Sequence, residues 1–252
     1  IETIIEAINS GMNIASGMHT RLASIKEIKQ AAEKNNVQLH DLRFNNIQFK
    51  TGTGEKRSGK RLLTVGTDCS VGKKYTALAI EKALNENGIK ATFKATGQTG
   101  VLIAESGIAI DAIISDFISG AVEWLSPEKS NEEWDIIEGQ GSIFHPSFAG
   151  VSLGLLHGSQ PDKFIVCHES TRISMRGVSI KLPSIGDVIK KTIELGSLTN
   201  PKIECVGIAL NTSSMNEGIE ELKKEISAKY SLPCLDPLQD NLTPIIKKIQ
   251  ES

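Results

Sequence analysis

Three features of the sequence predict an α/β chain built on a mostly parallel sheet with helices on both faces. Apolar strand-like runs alternate with helix-period segments from Arg61 onward, the order a parallel sheet requires. The first of these runs, Leu62 to Val65, passes through a glycine-bearing loop into a segment with Ala77, Ile80, Ala83 and Leu84 on one helical face. Small or polar residues follow several of the strand-like runs directly, at the carboxyl edge of the sheet, where open α/β folds bind ligands.

Residues 1–50 form a first unit. Ile4, Ile5, Ala7 and Ile8 mark an amphipathic helix ending at Gly11, Met12 to Ala15 is a short apolar step, and Gly17-Met18-His19 makes a turn. Ile25 to Lys34 reads as a second helix and Val37 to Leu42 as a β-type run. This unit is too small to stand alone. The chain opens on Ile1 rather than Met, so it reads as the later part of a longer protein. Residues 51–60 are glycine-rich and charged, with no apolar anchor, and are expected to be a flexible linker. The main unit is expected over residues 61–252.

That unit begins with the element that carries most of the chemistry, Gly66-Thr67-Asp68-Cys69-Ser70-Val71-Gly72-Lys73-Lys74-Tyr75-Thr76. A strand, a glycine loop, a lysine and a helix make a phosphate cradle. Backbone N–H groups wrap the oxyanions, the helix N-terminus adds a favourable dipole, and Lys73 supplies a point charge. Five residues rather than the usual four separate Gly66 from Gly72, and Lys74 stands where a Ser or Thr normally ligates Mg²⁺.

Beyond the helix of this loop, Gly88 is the expected C-cap and Lys90 to Ala95 a strand, whose end carries Thr96, Gln98 and Thr99 as a ligand-facing loop. Asp111 to Leu125 reads as one helix, in which Asp116 either faces solvent or aims a carboxylate at the phosphates. Trp134 to Ile137 is a short strand ending in Glu138-Gly139-Gln140-Gly141-Ser142, which looks like a Walker-B-type element whose carboxylate holds a metal or acts as a base. His145 follows on the same edge and is the best general-base candidate by residue type. A short helix is expected over Gly150 to His157. The strand from Asp162 finishes in His168 and Glu169, with Arg172 and Arg176 in the loop beyond as possible carboxylate or phosphate clamps. Ser184 caps a helix through Leu195. Ile203 to Leu210 is a strand ending at Asn211. Ser214 to Tyr230 is expected to be a charged helix, Pro233 to Pro237 a last strand or turn, and Asn241 to Ile249 a closing helix.

Composition narrows the function. A net charge of -2 over 252 residues argues against a nucleic-acid partner, which would need a clustered basic face. No apolar run is long enough to span a bilayer. Cys69, Cys167, Cys205 and Cys234 lack metal-type spacing, and the last three sit in or beside apolar runs, so they are expected to be buried thiols in a reducing, cytoplasmic compartment. A homo-oligomer is expected, and no bound metal.

Two resemblances sharpen the reading. Gly66-Thr-Asp-Cys-Ser-Val-Gly-Lys73 resembles the loop of dethiobiotin synthetase, which also has a Glu-Gly pair at the place of Glu138-Gly139. In that family an Asn after a late strand, here Asn211, often contacts the adenine base. More broadly, the loop together with Ala95-Thr-Gly-Gln-Thr-Gly100, Trp134 to Ser142, Phe144-His-Pro146, Leu156-His-Gly-Ser-Gln-Pro161 and Gly207-Ile-Ala-Leu-Asn-Thr212 resembles a family with a Rossmann-like N-terminal domain and a P-loop C-terminal domain. The resemblance runs from about Ile4 to the end. It implies a P-loop NTPase-like domain preceded by the last elements of a Rossmann-like domain.

Some members of that family are N-acetyltransferases that move an acetyl group from acetyl-CoA to D-glutamate. The resemblance therefore implies an acetyl-CoA cofactor, an acidic amino acid substrate and D-amino-acid metabolism. In that reading the P-loop holds cofactor phosphates without transferring one, Glu138 or His145 is the base, N–H groups near Gly139 and Gly141 stabilise the oxyanion, and Arg or Lys side chains hold the substrate carboxylates. The dethiobiotin synthetase likeness implies instead an ATP- and Mg²⁺-dependent ligase or kinase, with Asp68 and Glu138 on the metal. A nucleotide-binding protein without turnover is the third possibility.

Overall fold

A computed structural model describes residues 1–251. Six parallel strands make the main sheet: β3 (Lys60–Gly66), β4 (Ala91–Lys94), β5 (Trp134–Ile137), β6 (Lys163–Glu169), β7 (Glu204–Asn211) and β8 (Cys234–Leu235). Their order is β4-β5-β3-β6-β7-β8, so the chain leaves β3 toward one edge, returns, and then travels to the other. The loop after β3 thus lies at the point where the direction of travel reverses, the usual binding crevice of such sheets.

Helices cover both faces. One face packs Ala77, Ile80 and Leu84 of α3 (Lys73–Glu86) and Ile245, Ile246 and Ile249 of α9 (Thr243–Gln250) against Leu62, Ile136, Ile165 and Val206. The other packs α5 (Ile118–Leu125), α6 (Ala149–Ser159), α7 (Ile185–Gly196) and α8 (Ile219–Tyr230) against Leu63, Ile137, Phe164 and Ile208. Each fully buried Leu, Ile or Phe here contributes roughly 1.5–3 kcal/mol. Strands buried on both sides explain why their sequences read as apolar runs without alternation. Cys167, Cys205 and Cys234 are free and buried in β6, β7 and β8.

Residues 1–45 form a small α/β unit of α1 (Glu2–Asn9), β1 (Ile14–Ser16), α2 (Lys26–Asn35) and β2 (Leu39–Asp41), with β1 and β2 parallel. Ile8, Leu22, Ile28 and Ala32 are its separate core. The segment expected as a flexible linker has no helix or strand before β3 takes up its last residue, Lys60, yet it is held down. Glu123 on α5 accepts the N–H groups of Thr53 and Gly54 at 3.0 Å. The fully buried Arg61 donates to the carbonyls of Arg57, Ser58 and Gly59 and to Ser126.

Several elements differ from expectation. The stretch 111–125 is two short 3-10 turns, Ile110–Ala112 and Ser115–Phe117, before α5 begins. Its start is diverted because Ile108 and Ile110 donate their N–H groups to the carbonyls of Ala95 and Thr96. Helix α8 begins at Ile219 rather than near Ser214, because Gly218 with φ +71° sets its N-cap. Ser184 caps α7 in a capping box with Asp187, as its position suggests. No helix among the described residues is long and apolar enough to cross a membrane.

Candidate functional site

Strand register puts the candidate residues on one edge. Leu63 pairs with Ile137 and Gly66 with Cys167, so Glu138 comes level with Thr64, and His168 and Glu169 flank Thr67 and Asp68. A cavity of about 540 Å³ opens along this edge from the end of β4, past β5 and β3, to Asn211 at the end of β7.

The loop from Gly66 to Gly72 closes over β3. Gly72 has φ +103°, a conformation that costs a side chain dearly, and it starts α3. Lys73 is buried and folds back to donate to the Asp68 carbonyl at 2.7 Å. Burial pushes its ammonium below the ordinary lysine value, opposed in part by the acidic groups around it. Cys69, Gly72, Lys73, Lys74 and Tyr75 border the cavity, whereas Gly66, Thr67, Asp68, Val71 and Thr76 lie beneath it. The Thr76 hydroxyl turns back to the Gly72 carbonyl at 3.1 Å. Lys74 sits over the Tyr75 ring, 4.5 Å from its centroid.

On the β4–β5 side, Glu138 is buried and borders the cavity. Its Oε2 accepts the N–H groups of Thr96 at 3.1 Å and Gly97 at 3.2 Å, while Oε1, on the side of the Gln140 amide, accepts no bond of full hydrogen-bonding geometry among the described residues. Burial pushes its carboxyl above the ordinary glutamate range, although the two N–H donors, the Lys74 ammonium and the Gln140 side-chain amide pull it back. Thr96 does not border the cavity. Its hydroxyl donates to the Glu138 carbonyl at 2.5 Å and accepts from Gln140 at 3.2 Å, which fixes the turn. Gly139 passes so close to Thr64 that a Cβ would lie 1.6 Å from the Thr64 carbonyl oxygen, and its N–H is spent on Thr64 Oγ1 at 2.9 Å. Gln98 and Thr99 border the cavity, but from the first turn of α4 (Gln98–Ala104) rather than from a loop.

The β6 side is organised differently. Asp68 is fully buried, and its Oδ2 accepts from Arg172 Nη1 at 2.8 Å and the Arg176 N–H at 2.7 Å. Burial alone would raise its carboxyl, but the N–H groups of Arg176 and Cys69 and the Arg172 guanidinium hold it below the usual range. Arg172 also donates to the Cys69 carbonyl at 2.6 Å and is backed by Glu169 at 3.4 Å. Glu169 is itself tied to Thr171, and His168 Nδ1 lies 3.1 Å from the Thr67 hydroxyl. Arg172, His168 and Glu169, expected to meet substrate, thus brace the phosphate loop from behind. Arg176 alone of the four borders the cavity.

His145 is also buried, stacked on Phe148 at 4.4 Å. Its Nδ1 accepts the Ser147 N–H at 3.2 Å, which leaves Nε2 to donate to the Arg176 carbonyl at 3.0 Å. With both nitrogens engaged, the ring has no site left for a substrate proton. Asp116 is exposed on a 3-10 turn away from the cavity. Ser142 is buried behind the edge, accepting from the Phe144 N–H. Asp68, Cys69 and His145 bring potential metal-binding atoms within 4.8 Å of one another, but the engaged imidazole and the cations Lys73, Arg172 and Arg176 oppose a metal there.

Sequence reasoning missed Asp111, Phe148 and Val151 on the cavity wall. By sequence Asp111 reads as a helix start. The signal in its favour is that it directly follows the apolar run Ile108-Ala109-Ile110.

Relatives extend this picture. Residues 48–246 match the profile described as "Domain of unknown function (DUF1611_C) P-loop domain", and residues 1–45 match "Domain of unknown function (DUF1611_N) Rossmann-like domain". A Pseudoalteromonas sp protein named D-glutamate N-acetyltransferase is 52% identical over 248 residues, 98% of this chain and 75% of its own length. A protein of the same name from Tritonibacter scottomollicae is 43% identical over 240 residues, 94% of this chain and 72% of its own length. The crystal structure of a duf1611 family protein from Anabaena variabilis is 29% identical and superposes with a TM-score of 0.91, covering 99% of this chain and 74% of that one. Matched in both parts, the chain belongs to the DUF1611 family, with a Rossmann-like unit ahead of a P-loop domain.

Proposed function

We propose that the chain moves an acetyl group from acetyl-CoA to the amine of an acidic amino acid such as D-glutamate. The carrying observation is the two-part wall of one cavity: a phosphate-type loop on one side, and on the other a buried carboxylate with an oxygen to spare. The names of relatives at 43% and 52% identity support the same reading.

In this reading the loop N–H groups and Lys73 hold cofactor phosphates, and Asn211 and Tyr75 border the adenosine end. Acetyl-CoA supplies the thioester. Glu138 Oε1 takes one proton from the ammonium group, the nitrogen forms its bond to the acetyl carbon as the carbon–sulfur bond breaks, and the departing thiolate takes up a second proton from that nitrogen, so that coenzyme A leaves as the thiol. Burial raises the Glu138 carboxyl above the ordinary glutamate range, which makes it a stronger base than an exposed glutamate. With Gly139 N–H spent, the Gly141 N–H remains as the backbone oxyanion donor. Lys74 and Arg176 receive the acceptor's carboxylates.

The ATP–Mg²⁺ reading fits these residues poorly. The hydroxyl position of the loop is Lys74, the Thr76 hydroxyl bonds Gly72, and the paired oxygen of Asp68 faces Arg172 and Arg176. The test is incubation of the protein with acetyl-CoA and D-glutamate in the presence of a chelator, with mass spectrometry of the product. N-acetyl-D-glutamate, formed with one thiol released per acetyl group moved, is expected. Product that appears only with ATP and Mg²⁺ would overturn the reading, and no product at all would favour binding without turnover.

A further inference from the structure

The cavity is not built by the P-loop domain alone. Arg43, at the end of the Rossmann-like unit, is buried where the two units meet. Its Nε donates to the Gly17 carbonyl and its Nη1 to Asp111 Oδ2. Asp111 borders the cavity with its side chain one third exposed. A second contact runs beside it: Gly17 packs so closely on Gln98 that a Cβ there would lie 2.4 Å from Gln98 Cγ. Two cavity-wall side chains therefore take their positions from the first unit.

Charge is distributed unevenly along the cavity. Lys73, Lys74 and Arg176 stand around the β3 loop, while the carboxylates, Glu138 and Asp111, stand toward β5 and β4. A single guanidinium on one oxygen of Asp111 fixes the carboxylate's direction and leaves the other oxygen free to bind a cation. Amine substrates enter as ammonium ions near neutral pH, so a second carboxylate on the wall of the same cavity as the base fits an ammonium group.

We propose that Asp111 anchors the ammonium group of the acceptor amino acid, and that Arg43 is the positioning residue that aims it, so that the Rossmann-like unit sets acceptor affinity. This rests on the acetyltransferase reading and extends it. It separates two carboxylate roles: Asp111 binds the ammonium form, and Glu138 accepts its proton.

Initial-rate kinetics on the full chain test it, with acetyl-CoA and D-glutamate varied in turn. Asp111→Asn is expected to raise the D-glutamate KM by about tenfold or more, the scale of a lost charge-assisted hydrogen bond, with the acetyl-CoA KM unmoved. Arg43→Gln is expected to raise the same constant, and Arg43→Lys to restore part of it. An unmoved acetyl-CoA KM also shows that each variant is folded around its cofactor. Wild-type turnover with an unchanged D-glutamate KM in Asp111→Asn overturns the anchor alone. Equal changes in both KM values in the Arg43 variants would make Arg43 a structural link only. Absence of wild-type turnover removes the acetyltransferase reading and the anchor with it.

Discussion

Asp68 and Glu138 are both buried carboxylates at the carboxyl edge of the same sheet, one at the end of β3 and the other at the end of β5. Asp68 is tied by Oδ2 to an arginine side chain and a backbone N–H, with Glu169 and Arg172 behind it. Glu138 is held by two N–H groups on one oxygen and has no charged partner in direct contact. Their carboxyls move in opposite directions as a result, Asp68 down and Glu138 up. Residue type and position promised chemistry on both sides. What separates them is that Asp68 is paired with an arginine beneath the cavity, whereas Glu138 borders the cavity with no charged partner in direct contact.

The largest expected effect comes from breaking the paired side. Arg172→Ala would leave the Asp68 carboxylate buried without its charged partner, and a loss of about 3 kcal/mol in stability is expected from the cost of an orphaned buried charge. Chemical denaturation measures it, and a loss below about 0.5 kcal/mol, the size typical of exposed pairs, would show that the clamp is a surface pair. A smaller effect sharpens the contrast at His145. Because both of its nitrogens serve the fold, His145→Asn is expected to cost about 1 kcal/mol of stability per lost hydrogen bond. Its kcat should stay within about threefold of wild type, far from the 10²–10⁴-fold of a lost general base. A hundredfold fall in kcat would return the proton-acceptor role to His145.

Much of the fold could be read directly from residue patterns. Apolar runs without alternation mark β3, β5, β6 and β7 because both faces of the sheet are covered. Gly72-Lys73 and Ser184 marked helix starts through local backbone chemistry. The region after Gly107 was harder. Ile113, Ile114, Phe117, Ile118 and Val122 suggest one helical face, but Ile114 is 69% exposed, and the N–H groups of Ile108 and Ile110 go to the segment after β4. The same limit applied at the site. The loop and Glu138 are short local motifs and stood out in the sequence. The turning of Arg172 toward Asp68, 104 residues away, the closing of His145 by Arg176, and the aiming of Asp111 by Arg43 all depend on contacts between distant segments. No local pattern encodes them.

The account's central claim is that chemistry belongs to the carboxylate that reaches the cavity without a charged partner. The most direct measurement is kcat across pH for wild type and Glu138→Gln, with acetyl-CoA affinity determined on the same samples. Glu138 must be deprotonated to accept a proton, and its carboxyl lies above the ordinary range, so wild-type kcat should fall as pH drops through a limb above the ordinary glutamate value of about 4.3. Glu138→Gln should lose about 10²–10⁴-fold in kcat, together with that limb, while its acetyl-CoA affinity stays unchanged. A Glu138→Gln enzyme that turns over at the wild-type rate with the same acidic limb would contradict the account.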